Sequence, residues 1–219
     1  MAALGMTTTA CGGPSVGDVE SQALTLQVSG VYLGPKAVPS GDDARGDFTM
    51  SRALISVDSM QLTPCASGSA PITLDPRVYD LLADPPLGET VTTAVTEFCT
   101  LRIDLTPSPD VTESASSSDE SLLLEAKDET AAKITYAGED SPSLTFTADN
   151  GDFFGDQPLL LGFDLSGWLA YLAGGATNPL PGLFDSTLTD VAALYVDTNG
   201  NQQLDADEQT PVAHAQASR

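Results

Sequence analysis

Histidine and basic residues are nearly missing from this chain: 219 residues hold one histidine, His214, and 8 Lys+Arg against 31 Asp+Glu, a formal net charge of -23. A charge of that sign repels phosphate backbones and anionic headgroups, which excludes nucleic acid as a partner and leaves cations, neutral sugars and basic surfaces. A catalytic triad is missing too, since the body of the chain has no histidine to serve as its base, and there is no glycine loop that could cradle phosphate. No segment reaches the ~18 consecutive apolar residues of a membrane span, so any membrane attachment would be through lipid. Yet 41% of the residues are hydrophobic and only 18% charged, too apolar a mixture for wholesale disorder. These bounds describe one folded domain with tails, and the acidic self-repulsion favours a monomer at low salt.

Cysteine is scarce, at three residues, and they divide into one and two. Cys65 and Cys99 lie in strand-like segments and are expected to pair. Closing a loop of about 35 residues would stabilise the fold by roughly 4 kcal/mol on the chain-entropy account, in a secreted or periplasmic compartment; the alternative is two buried thiols. Neither has the paired spacing of a zinc site. Cys11 stands in Thr8-Thr9-Ala10-Cys11-Gly12-Gly13, small residues before and glycines after. That segment resembles the processing box of bacterial lipoproteins, which implies cleavage before Cys11, its acylation and a membrane-anchored mature protein. The ten preceding residues are few for a full apolar stretch with a basic start, as a truncated start would explain. The alternative is a free thiol in a loose tail. Residues 1–22 are expected to be a signal remnant, the lipobox-like cysteine and a flexible tether.

Strand signals are plentiful. Ala23 to Leu33, Phe48 to Thr63, Pro71 to Leu74, Phe98 to Leu105, Leu122 to Lys127, Lys133 to Tyr136, Leu144 to Thr147 and Leu159 to Asp164 show alternation or β-branched content. In the longest, Met50, Ala53, Ile55, Val57, Met60 and Leu62 keep a mostly alternating apolar face, with a bulge expected near Arg52 to Ala53. Turns rich in Gly, Pro, Asp and Ser separate them. Many short strands with such turns predict a mainly β fold, an antiparallel β-sandwich over residues 23–208. Leu165 to Ala173 breaks the rhythm: Leu165, Trp168, Leu169 and Leu172 share one helical face, so one short helix is expected, with Trp168 as a core anchor rather than a sugar platform. Pro107 to Ser121 reads as an exposed acidic loop. The tail, 209–219, is expected to be frayed.

The strongest motif is Asp197-Thr198-Asn199-Gly200-Asn201-Gln202-Gln203-Leu204-Asp205-Ala206-Asp207-Glu208, with oxygen-bearing side chains at loop positions 1, 3, 5, 9 and 12. Hard divalent cations take six to eight oxygen ligands, and this spacing matches a Ca2+ loop. Asp197, Asn199, Asn201, the Gln203 carbonyl, Asp205 through water and Glu208 with both oxygens are the expected ligands. Leu204, at position 8, fits a residue that packs inward. The departure is at position 6, where the pattern wants Gly for a positive φ and Gln202 stands. That strain, roughly 1–2 kcal/mol, predicts a weak site of about 10⁻⁴ to 10⁻³ M, suited to an extracellular module. Without an ion the segment is an acidic turn. Asp149-Asn150-Gly151-Asp152 with Gly155-Asp156 is a lesser candidate for a second cation, against a plain hairpin turn.

Taken together, Ala53 to Leu62, Val78 to Leu82, Cys99 to Leu105, Leu160 to Leu165, and Gly167-Trp168-Leu169 followed by the D-x-N-x-N of Asp197 to Asn201 resemble an uncharacterised, myxobacteria-like surface lipoprotein family. The resemblance implies an immunoglobulin- or transthyretin-like sandwich, a cell-envelope location and contact with a glycan or envelope protein. It supplies no catalytic residues. The expected function is a non-enzymatic, lipid-anchored binding or structural module. A carbohydrate-active enzyme with paired carboxylates and an acidic spacer without a ligand are the alternatives.

Overall fold

The computed structural model describes residues 21–34, 37–39, 47–112, 119–128, 130–148, 151, 153–154, 157–173 and 183–218. Cys11 therefore lies outside the described residues, as do Asp149, Asn150, Asp152 and Asp156. The elements in chain order are β1 (Gln22–Val31), β2 (Ala37–Pro39), β3 (Asp47–Pro64), β4 (Ile72–Leu74), β5 (Arg77–Asp80), β6 (Leu87–Thr93), β7 (Glu97–Leu105) and β8 (Leu122–Lys127). They continue with β9 (Lys133–Gly138), β10 (Ser143–Thr147), β11 (Phe153–Phe154), β12 (Leu159–Asp164), α1 (Leu165–Ala173), α2 (Leu183–Val191), β13 (Ala192–Val196) and β14 (Ala213–Ser218).

The fold is mainly β and sandwich-like, as the strand rhythm indicates. One continuous path of paired strands, β6-β1-β12-β13-β14-β10-β7-β3-β8-β9, curls on itself. Its inner surface is the core, where Leu24, Leu26 and Val28 of β1 meet Ile55, Leu101 and Phe146 from the other half. All pairs are antiparallel except β1 with β12, which run parallel with Leu26 opposite Leu159. That pair departs from the all-antiparallel expectation. A parallel neighbour needs a long crossover, and everything from β2 to β11 supplies it.

β3 shows how the sequence phase becomes shape. Its register slips against β8 between Met50 and Arg52, beside the expected bulge, and against β7 between Val57 and Ser59. The second slip lets Ala53, Ile55 and Val57, then Met60 and Leu62, all reach the core although the parity changes. Trp168 is 1% exposed and stacks on Phe163 at 5.8 Å between ring centroids, so it is a core anchor. Cys65 and Cys99 form a disulfide, Cα atoms 4.9 Å apart, joining the end of β3 to β7.

Two expectations are corrected. A second helix, α2, follows α1, where one short helix was expected. The tail is not frayed over its whole length: residues 213–218 form β14, whose first half pairs with β13 (Leu194 opposite Ala213) and whose second half pairs with β10 (Phe146 opposite Ala215). Burial of Ala213 and Ala215, with α2 packed on the strand, holds it there. Small side chains carry little hydrophobic signal, but they let helix and sheet approach closely.

Candidate metal loop

β13 and β14 are antiparallel neighbours, and residues 197–212 connect them as one long excursion on the rim of the sandwich. Its two ends are pinned by backbone: the Asp197 N–H donates to the Pro158 carbonyl at 3.0 Å and the Val212 N–H to the Leu194 carbonyl at 2.8 Å. All six expected ligand residues lie in this one connection.

Asp197 is 1% exposed and organises the first half. Its Oδ1 accepts from the N–H groups of Gly200 (2.7 Å) and Asn201 (3.2 Å), and its Oδ2 from that of Gln202 (2.8 Å). The side-chain oxygens of Asn199 and Asn201 each accept from the N–H two residues on, Asn201 at 2.9 Å and Gln203 at 2.8 Å, which are Asx turns. The turning backbone that results takes φ of +70° at Gly200 and +67° at Gln202. Gln202 thus adopts the left-handed conformation that the motif requires at position 6. Hydrogen bonds from within the protein hold it there, so the strain is a cost of folding rather than of cation binding.

Glu208, 6% exposed, closes the loop from the other end. Its Oε1 accepts from the Thr198 N–H (2.8 Å), the Thr198 hydroxyl (2.6 Å) and the Asn199 N–H (3.3 Å), and its Oε2 from the Asp205 N–H (3.2 Å). The Thr198 hydroxyl first, with the backbone donors of Asp205, Thr198 and Asn199, holds the Glu208 carboxyl below its ordinary value against the opposing effect of burial. The part played by Thr198 was not legible in the motif, which puts no requirement on position 2.

Asp205 occupies the middle. Its Oδ2 accepts from the carboxamide N–H groups of both Asn199 and Asn201, each at 2.8 Å. Two partial positive charges therefore converge on this carboxylate. Among the described residues no three His, Cys, Asp or Glu side chains form a group that could hold a metal ion, and the carboxylates of Asp197, Asp205 and Glu208 are turned to N–H donors instead. A cation would have to exchange some of those bonds for its own. The arrangement is a compact network of acceptors, satisfied by N–H and O–H donors of the same loop.

Leu204 ties the network to the sheet. It packs against Val31, Leu160, Ala193 and Tyr195, a small cluster separate from the main core. That is the inward packing expected of position 8.

Fold and site together define a mainly β, sandwich-like protein with a Cys65–Cys99 disulfide and an acidic loop, residues 197–208, on its rim. No family model and no curated protein matches the chain. Among solved structures, MbnP from Methylosinus trichosporium aligns with a TM-score of 0.43 at 9% identity, covering 69% of this chain and 78% of that chain. A likeness so distant says nothing about activity. Among the described residues no helix is long and apolar enough to cross a membrane.

Proposed function

We propose that this protein is a non-enzymatic module of the cell envelope, anchored by lipid on Cys11, that presents its rim to an extracellular ligand and is braced there by a weak Ca2+ site. The observation that carries the reading is the conformation of residues 197–208. Asp197 gathers three N–H groups, Asn199 and Asn201 make successive Asx turns, and Gln202 takes a positive φ despite its side chain. An ordinary surface turn has no need of that combination. The disulfide supports an oxidising compartment, and the Thr8 to Gly13 segment supports the anchor.

Calcium would be held by Asp197, Asn199, Asn201, the Gln203 carbonyl, Asp205 and Glu208. It would replace the two amide donors on Asp205 as the positive partner and offset repulsion among three carboxylates in a chain of net charge -23. Because protein hydrogen bonds must be exchanged for metal ligands, binding is weak, about 10⁻⁴ to 10⁻³ M. At roughly ten times the dissociation constant the ion stabilises by about 1.4 kcal/mol, a rise in melting temperature of about 3–6 °C for a domain of this size. Thermal denaturation in CaCl2, against MgCl2 and against NaCl of equal ionic strength, tests this. A shift specific to calcium and lost in Asp205→Asn is expected. Equal curves in the three salts would contradict the reading.

A further inference from the structure

The end of β1 beyond its pairing with β6 borders a concavity between the segment after β5 and the 197–208 loop. Gly30 of β1 donates its N–H to the Leu81 carbonyl at 2.8 Å, which pins the segment following β5 against β1. A Cβ at Gly30 would lie 2.4 Å from Leu165 Cδ1 and 2.6 Å from that carbonyl, so only glycine permits the approach. On the other side Leu204 seats the calcium-type loop on Val31 and its neighbours. Between these two walls, over residues 29–32, lies a cleft of about 460 Å³, a volume suited to a small molecule rather than a folded partner.

Its chemistry is mixed and specific. Asp84 is the one carboxylate on its walls, and no Lys, Arg or His lines it. Gln202 and Gln203 contribute exposed carboxamides from the middle of the calcium-type loop, while Tyr32, Leu82 and Pro86 contribute apolar surface. An anion is disfavoured by Asp84 and by the net charge of -23. An organic cation could use only acceptors and would leave the carboxamide donors unmatched. A hydroxyl both donates and accepts, which is what a carboxylate beside two carboxamides complements. The C–H faces of a sugar ring match the apolar walls.

We propose that this cleft binds a small neutral saccharide, with Asp84, Gln202 and Gln203 engaging its hydroxyls; the inference rests on reading the chain as a binding module whose loop is held by calcium. The loop would then serve recognition directly. It supplies both carboxamides, beside the Asp84 carboxylate and the hydroxyls of Ser29 and Tyr32, and the backbone of Gln202 is fixed by Asp197.

The test is a titration of the isotope-labelled protein, followed by amide NMR, with glucose, N-acetylglucosamine and cellobiose, and with glucuronate and glucosamine as charged comparators. Calcium is titrated into the same sample. Saturable shifts with at least one neutral sugar, centred on residues 29–32, 81–84 and 202–204, are expected. Asp84→Ala and Gln203→Ala, both at exposed positions, should keep the folded spectrum and weaken binding about tenfold each. Sugar shifts that are absent or scattered while calcium titrates normally would overturn the cleft and leave the calcium reading intact. Sugar shifts at the cleft with no calcium response would support the cleft and contradict the calcium reading. Tighter binding of glucosamine than of N-acetylglucosamine would overturn the proposal in favour of a cation site.

Discussion

Gln202 shows how a single residue can carry a structural cost whose location matters. With φ at +67° it stands where glycine is unstrained, and the N–H to Asp197 bond at 2.8 Å keeps it there. Gln202→Gly should relieve about 1–2 kcal/mol of strain and give back about 0.4–1 kcal/mol in added freedom of the unfolded chain. The expected result is a gain near 0.5–1 kcal/mol in urea denaturation, with calcium affinity changed less than about twofold, because the strain is present before any ion arrives. A large gain in affinity without a gain in stability would place the cost in binding instead. The sequence motif correctly marked position 6 as the exception, but only the hydrogen bonds locate the penalty in folding.

Glu208 is a second residue with a measurable signature. Its carboxyl is held below the ordinary value, by the Thr198 hydroxyl above all. The unfolded chain binds a proton at higher pH than the folded one, so the stabilisation is complete above the unfolded value, about 4.3. It is lost as pH falls through the lower, folded value. Carboxyl carbon NMR should find Glu208 titrating below the exposed glutamates, with exchange at the Thr198 and Asn199 amides accelerating over the same range. Titration at or above the ordinary value would contradict the clamp.

Among the elements, those with strong apolar alternation were legible in the sequence. β8 and β12 have the bounds expected from pattern, and β3 and β7 differ from expectation by a residue at each end or less. β5, β6 and β14 were not legible for a shared reason. β6 reads LGETVTT and β14 AHAQAS, so neither shows a hydrophobic stripe, and each is a strand because of its neighbours. β6 covers the edge of β1, and β14 joins the two halves of the sandwich. A chain ending at residue 212 would expose the edges of both β13 and β10 and should lose its cooperative thermal transition. An unchanged transition would show that the final strand is dispensable. The cleft wall at 81–86 was equally invisible in sequence, because it depends on the contact of Gly30 with Leu81, 51 positions away.

At the scale of the whole molecule, charge and topology point to the same rim. A net charge of -23 makes the folded state sensitive to any cation, so ordinary salt should also stabilise it by screening. What separates a site from screening is saturation at a defined stoichiometry. The sandwich supplies the place: β13 and β14 stay paired while the 16 residues between them (197–212) fold outward. Leu204 then returns the excursion to the outer face beside the cleft. Loop, sheet face and cleft are therefore contiguous.

The most direct test is calorimetric titration of the folded protein with calcium at fixed ionic strength, repeated with Asp205→Asn and Asn201→Ala. The account predicts one site in the range of about 10⁻⁴ to 10⁻³ M, weakened at least tenfold by either substitution and without equal response to magnesium. Heats that fail to saturate, or a site indifferent to both substitutions, would contradict it and leave residues 197–208 as an acidic turn held together by its own hydrogen bonds.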